Sequence, residues 1–460
     1  VPAPTEAPTT SALLPTAPMT LTVEPVPTAV PTAPQATLDV PLGVAVIGRG
    51  ALIAVGGGAN TVSFLRDDTW VPIPDLQLRA CLGTGVAFFD SEAIAWAGCH
   101  DLIRSMDGGD TWATAPGERS LPELSFVDVQ DRIWWVERTR ITVFDSKTGA
   151  PEASYVVVDA TGEQSFPFEA AAIAANGVLW LGGLNVGGSD LVAFDGTSWQ
   201  SYGEPAALGL QVFESPKALL AHSDGRVLLA TSGNLYTIEG SALTPQIPDG
   251  LARDLPGTIK QLIELPDGAV AMASLEGIAI WDGQMLSRIR RADGLPSNKV
   301  HTLAVDGAGR LWAGTEYGLA VQDGQGGWQT AVPSNSELGD SRIVAIAVLG
   351  APALPAPLQA RTTTVSGRLL EGGAPVAGSA VQLCGETGQL FTGRRPCEGQ
   401  SLELNATTDA EGRFRIENVP LATLSLAAQK GDGQWIIFLG GIPALSADQE
   451  VELGDIKLDD

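Results

Sequence analysis

Between residues 42 and 334 the sequence returns to one grammar at intervals of roughly 35–45 residues, the repeat length of a β-propeller blade. The clearest copy opens on Ala292-Asp293-Gly294-Leu295-Pro296-Ser297, runs through VHTLAVDGAGRLWAGTEYGLAVQDG and ends at Trp328. In it VHTLAV reads as an inner strand, Asp306-Gly307 as a tight turn and RLWAGT as a second strand. Gly318-Leu319-Ala320-Val321 is the third strand, Asp323-Gly324 the next turn, and the Trp328 segment the outer strand. Further copies turn at Asp224-Gly225, at Asp267-Gly268 with Asp282-Gly283, and at Asn176-Gly177 with Asp195-Gly196. Looser copies run from GVAVIGRGALIAVGG to Trp70, from VAFFDSEAIAWAG to Trp112, and from LSFVDVQDRIWWVE to FDSKTG. About seven four-stranded units result, and such units bury their faces only by stacking on each other. An apolar segment at Ser341–Leu349 follows the last full unit; it either closes the ring against the first blade or forms an exposed edge.

Composition agrees with an all-β chain. The 54 Gly and 31 Pro demand many turns, and charged residues make up only 17%. No apolar run reaches the ~18 residues of a membrane-crossing helix. The 53 acidic and 27 basic residues give a formal net charge of −26, a surface that repels nucleic-acid backbones and anionic lipid. The four cysteines fall as near neighbours, Cys81 with Cys99 and Cys384 with Cys397, and none makes a CxxC spacing. Two local disulfides in an oxidising compartment are expected. The chain opens at Val1 without a leader-like stretch, as a processed exported protein would.

The unit at 292–328 resembles the two-component-regulator propeller repeat, carrying its Asp-Gly, Leu-Trp-x-Gly-Thr, Gly-Leu and Asp-Gly…Trp signals nearly complete. The resemblance extends loosely over 166–334 and implies a fold rather than a function. In sensor proteins with such repeats, transmembrane and kinase segments follow; this sequence contains neither. Ser105-Met106-Asp107-Gly108-Gly109-Asp110-Thr111-Trp112 matches the Asp-box of sialidases and other propellers. That resemblance implies that Ser105, Asp107, Gly109, Thr111 and Trp112 shape a turn between outer strands. It does not imply sialidase chemistry, because the Arg-Ile-Pro of that family is missing.

Residues 350–360, GAPALPAPLQA, read as a short, semi-rigid linker. Beyond it, Val365-Ser366-Gly367-Arg368-Leu369, Gly373–Val381, Thr407–Phe414 and Val419-Pro420 resemble the carboxypeptidase regulatory-like, transthyretin-like sandwich. Seven strands in two sheets are expected over 361–460. The Cys384–Cys397 stretch reads as a disulfide-closed loop, with Arg394-Arg395 at its tip. Asn405-Ala406-Thr407 is the one glycosylation sequon.

Residues 1–37 are a Pro/Thr-rich arm, extended because proline lacks an N–H and has a fixed φ. Thr5, Thr9, Thr10, Thr16, Thr28 and Thr32 are candidates for O-linked sugar, beside Asn405 for N-linked sugar. Within the arm Met19-Thr20-Leu21-Thr22-Val23-Glu24 alternates like a strand that can join a sheet edge. An extended arm has no core, so any ordered part of it must dock, on its own chain or on a neighbour.

The three histidines, His100, His222 and His301, lie in different repeats, and no HExxH, GxSxG, P-loop or EF-hand pattern occurs. Catalytic, cofactor-binding and metal-ligating residues are therefore expected to be none. The eleven tryptophans recur with the blades and read as packing between them. The expected architecture is a propeller over 38–349, a linker over 350–360 and a sandwich over 361–460, preceded by the arm. The expected role is a non-enzymatic, secreted structural protein of the bacterial cell surface that self-associates, as a homo-oligomer or filament, through its arm. The alternative is a monomeric surface module whose propeller face recognises a glycan or protein.

Overall fold

The computed structural model describes residues 20–22, 50–57, 61–71, 73, 85–98, 102–114, 124–128, 130–137, 139–157, 168–185, 188–202, 215–240, 242–358, 362–384, 396–397, 402–421, 424–438 and 450–458. Seven antiparallel sheets among them follow one another along the chain, six of four strands and one of five. Blade 1 holds Val86–Phe89, Ala95–Gly98, Leu102–Ser105 and Ala113–Thr114; blade 2 holds Leu124–Val127, Arg132–Val136, Arg140–Asp145 and Pro151–Val156. Blade 3 holds Phe168–Ile173, Leu179–Asn185, Gly188–Phe194 and Ser198–Ser201; blade 4 holds Ala218–Ala221, Val227–Ala230, Leu235–Glu239 and Ala242–Pro245. Blade 5 holds Ile259–Glu264, Val270–Ser274, Gly277–Trp281 and Leu286–Ile289; blade 6 holds Val300–Val305, Leu311–Thr315, Gly318–Gln322 and Trp328–Ala331. Blade 7 is composite: Ile343–Gly350 supplies its inner strand and Gly50–Gly56, Val62–Arg66 and Thr69–Val71 the rest.

Blade 7 decides between the two readings of the apolar segment after the last repeat. Ile343–Gly350 pairs with Gly50–Gly56 and closes the ring. The unit expected to start at residue 42 is thus not self-contained, because its inner strand comes from the other end of the repeat array. Each inner strand touches the inner strands of the blades before and after it, from blade 1 round to blade 7 and back. The fold is an all-β propeller.

Ring closure has a simple energetic basis. Side chains of a strand alternate between its two faces, so each blade offers one set to each neighbour. Ala51, Ile53 and Val55 of blade 7 pack with Ala95, Ala97 and Ile103 of blade 1. Leu52 and Ala54 pack the other way, with Trp312, Leu319 and Val321 of blade 6. Every residue of Gly50–Gly56 is buried in consequence, and the segment reads as an unbroken apolar run. Comparable clusters join blades 1 and 2, 2 and 3, 3 and 4, 4 and 5, and 5 and 6.

The turns between first and second strands need a left-handed residue at their fourth position. Gly177, Gly225 and Gly268 fill it at φ +83°, +92° and +82°. In blade 6 the left-handed residue is Gly309 and not the Gly307 of the expected Asp306-Gly307 turn. Blades 1 and 2 place Ala93 (φ 62°) and Asp131 (φ 60°) there instead.

Residues 351–358 lie against the propeller. Ala353 N donates to Asp68 Oδ1 at 2.6 Å and Leu358 N to the Asn335 carbonyl at 2.7 Å. After this strap, Thr362–Glu371, Ala374–Pro375, Arg413–Pro420 and Glu450–Lys457 form one sheet. Ala380–Cys384, Glu403–Thr407, Ser425–Gln429 and Trp435–Phe438 form a second, and the two enclose a core of Val365, Leu369, Val381, Leu383, Phe414 and Leu426. Eight strands are described where seven were expected; one of them is the two-residue Ala374–Pro375. Helix is limited to Asp249–Ala252 and a single 3-10 turn at Arg291–Asp293 among the described residues.

Candidate functional site

Two features rise above packing: one mouth of the central channel, and the outer edge of blade 3. At the mouth, an irregularity recurs near the start of four inner strands. In blade 3, Phe168 faces Gly183 and Ala170 faces Gly182, leaving Glu169 as an extra residue. Blade 5 leaves Lys260 between Ile259 and Gln261 in the same way, and blade 6 leaves His301 between Val300 and Thr302. Blade 7 leaves Val344 between Ile343 and Ala345. A bulge bends its strand and re-aims the inserted side chain, so these residues stand at equivalent places around the channel.

Charged groups gather at this level. His301 Nε2 lies 2.7 Å from Glu316 Oε2, and Arg342 Nε lies 3.4 Å from the same oxygen. Burial pushes the Glu316 carboxyl up, but the His301 hydrogen bond and the charges of Arg342 and Lys299 outweigh it and hold the carboxyl below its ordinary value. The neighbouring Tyr317 phenol is pushed up to about 12 by burial. On blades 3 and 4, Lys217 Nζ pairs with Glu169 Oε2 at 2.6 Å. Neither Glu316 nor Tyr317 is poised to exchange a proton near neutral pH.

The other two histidines lie elsewhere. His222 is buried between blades 4 and 5, with Nε2 3.1 Å from the Gly268 carbonyl and Nδ1 2.9 Å from Asp224 Oδ1. His100 lies outside the described residues.

The Asp-box residues come together as a turn. Ser105 Oγ donates to Asp107 Oδ1 at 2.8 Å, and Gly109 N donates to Ser105 Oγ at 2.7 Å. Thr111 donates to Asp107 through both N and Oγ1, and Trp112 Nε1 donates to the Gly109 carbonyl at 3.2 Å. Gly109 sits at φ +93° with Phe64 of blade 7 where a Cβ would project, and Phe64 meets Trp112 edge-on at 5.3 Å. The box therefore anchors blade 1 to blade 7, a packing role.

A second recurring constellation went unseen in the sequence. Asp128 Oδ1 accepts the Gln130 and Arg132 amides, while Oδ2 accepts Arg132 Nε and Trp134 Nε1. Asp306 does the same with Ala308, Arg310 and Trp312. The spacing, Asp followed by Arg four and Trp six residues later, was the available signal.

At the blade 3 edge, Thr20–Thr22 pairs antiparallel with Ser198–Ser201, matching Thr20 to Gln200, Leu21 to Trp199 and Thr22 to Ser198. Blade 3 so acquires a fifth strand. Of the expected arm strand, Met19, Val23 and Glu24 lie outside the described residues, as do the threonines at 5, 9, 10, 16, 28 and 32. Cys384 and Cys397 form a disulfide with Cα atoms 5.1 Å apart; Cys81 and Cys99 lie outside the described residues. Asn405 is exposed on Glu403–Thr407, and its Oδ1 accepts Gln382 Nε2 at 2.8 Å.

One family model matches, the two component regulator propeller, over residues 294–317. None of the curated proteins matches the chain. Among solved structures, catalytically inactive virginiamycin B lyase from Staphylococcus aureus with quinupristin is 15% identical (TM-score 0.42), covering 54% of this chain and 85% of that one. The extracellular domain of a protein assigned as a one component system from B. thetaiotaomicron is 15% identical (TM-score 0.46), covering 84% of this chain and 59% of that one. A gluconolactonase from Xanthomonas campestris is 16% identical (TM-score 0.39), covering 65% of this chain and 97% of that one. At these levels of likeness none of those activities carries over.

Proposed function

We propose that the chain is a non-enzymatic extracellular structural subunit whose copies are joined by the arm, the Thr20–Thr22 strand of one adding to the Ser198–Ser201 edge of the next. The observation that carries this reading is the pairing of those segments within one chain. An element that docks on its own chain can make the same contacts on an identical neighbour, which is the logic of domain swapping. Residues 23–49, which connect the strand to blade 7, span at most roughly 90 Å, enough for either arrangement. Extracellular residence is supported by the Cys384–Cys397 disulfide and by the Pro/Thr-rich arm. We read the second body, from 361, as a carboxypeptidase regulatory-like sandwich carried by the propeller.

The test uses the pairing register. Two preparations are mixed, one carrying Thr20→Cys and the other Gln200→Cys, and oxidised. A covalent species of twice the chain mass is expected, together with assemblies in negative-stain images that vanish when residues 1–37 are deleted. Monodisperse particles with and without the arm, and cross-linking only when both cysteines share a chain, would overturn the reading. A monomeric binding module is the second reading, favoured by the charged channel mouth.

A further inference from the structure

The channel mouth gathers basic side chains in a chain that is acidic overall. Overall, carboxylates outnumber Lys and Arg by 53 to 27. Around the mouth stand Lys217, Lys260, Lys299 and Arg342, with His301, against Glu169, Glu316 and the buried Asp340, whose Oδ1 accepts the Arg342 amide. Basic side chains gathered at one place repel one another, and an anion brought among them relieves that repulsion.

Two of these cations keep donors to spare. Lys260 is exposed, and among the described residues its side chain has neither a hydrogen bond nor an ion pair. Arg342 Nε lies 3.4 Å from Glu316 Oε2 without a hydrogen bond to it, and the side chain is 39% exposed. The inner strands of blades 5 and 7 both touch that of blade 6, so Lys260 on the first and Arg342, just ahead of the second, come from the two blades either side of the one that carries His301. His301 is in turn held by Glu316. The bulges in blades 5 and 6 put Lys260 and His301 at equivalent levels, which independent surface lysines would not share.

We propose that this arc of the mouth binds a small ligand through an anionic group, carboxylate or phosphate, gripped by Lys260 and the terminal amino groups of Arg342. His301, oriented by Glu316, supplies a neighbouring hydrogen bond. Glu316 is a positioning residue: it pairs with His301 and lies within ion-pair distance of Arg342. Lys217 is excluded from the grip by Glu169. The arm plays no part, so this site and the strand exchange stand or fall separately.

The test is calorimetric titration of the intact chain with trigalacturonate, citrate and inorganic phosphate. At least one probe is expected to bind; the sugar acid and citrate against phosphate distinguish carboxylate from phosphate recognition. Lys260→Gln should weaken that probe about tenfold, the order of one lost charge-assisted hydrogen bond. Lys260→Arg should restore most of it, and Lys430→Gln, a charge removal in the sandwich, should leave it unchanged. Thermal melts of the variants confirm that each is folded. No binding of any probe at millimolar concentration, or equal losses from Lys260→Gln and Lys430→Gln, would overturn the proposal.

Discussion

At the scale of single residues, the same position in two blades is tuned in opposite directions. Asp128 and Asp90 each open the turn between first and second strands and accept its amides. Burial pushes the Asp128 carboxyl up, but hydrogen bonds from Trp134, Arg132 and two amides more than offset it and leave the carboxyl below its ordinary value. In blade 1 Ile94 replaces the arginine, and Trp96 Nε1 is left without a partner. There burial dominates, the charge of Asp131 adds to it, and the Asp90 carboxyl is raised. The signs of the pH dependence follow. The depressed Asp128 contributes stability that is complete above about pH 4 and lost as pH falls through its folded value. The raised Asp90 costs stability once ionised, and that cost disappears as pH falls back through its folded value. Asp128→Asn sets an amide donor against Arg132 and Trp134 and should cost about 2 kcal/mol at pH 7, with the penalty shrinking below pH 4. Asp90→Asn, whose Oδ1 still accepts the Glu92 and Ile94 amides, should cost little or stabilise. Urea unfolding of both variants at pH 7 and pH 3.5 checks this. Equal penalties at both sites would show that the arginine–tryptophan partners do not set the difference.

At the scale of elements, what could be read from the sequence was whatever repeats locally. The Asp-Gly turns, the apolar second strands and the Asp-box are short patterns whose physics lies within a few residues. The closing pairing of Ile343–Gly350 with Gly50–Gly56 joins distant segments and has no local signal beyond an apolar run. The bulges at Lys260 and His301 exist only relative to a partner strand, so their equivalence was invisible until the register was known. The Asp-to-Trp spacing was visible, but each tryptophan had already been accounted for by packing between blades. The turn positions carry a prediction of their own. Ala93 stands left-handed where blades 3 to 6 use glycine, a conformation costing an L-residue roughly 1–2 kcal/mol. Glycine gives some of that back in unfolded-state entropy, so Ala93→Gly should stabilise by about 0.5–1 kcal/mol, read as a rise in the urea midpoint at constant slope. A lowered midpoint would mean that the methyl group packs well enough to justify its strain.

At the scale of the whole molecule, the formal charge of −26 and the proposed joining of copies by the arm pull against each other. Two such chains repel as they approach, and the repulsion is screened over about 10 Å at 0.1 M salt. The segments that would join them, Thr20–Thr22 and Ser198–Ser201, carry no charged side chain. Their bond is a backbone ladder with Leu21 opposite Trp199, which salt does not weaken. Docking within one chain needs no approach of two acidic bodies and gains nothing from screening. Raising salt from 0.01 to 0.15 M should therefore move copies from the self-docked form into assemblies, with little further change above that, followed by mass photometry at fixed protein concentration. Deleting residues 1–37 should abolish the salt response, because it removes the proposed uncharged connector while leaving most of the charge. Were assemblies instead to dissolve as salt rises, complementary charged patches would have to be holding them, and the arm would lose its place as the connector.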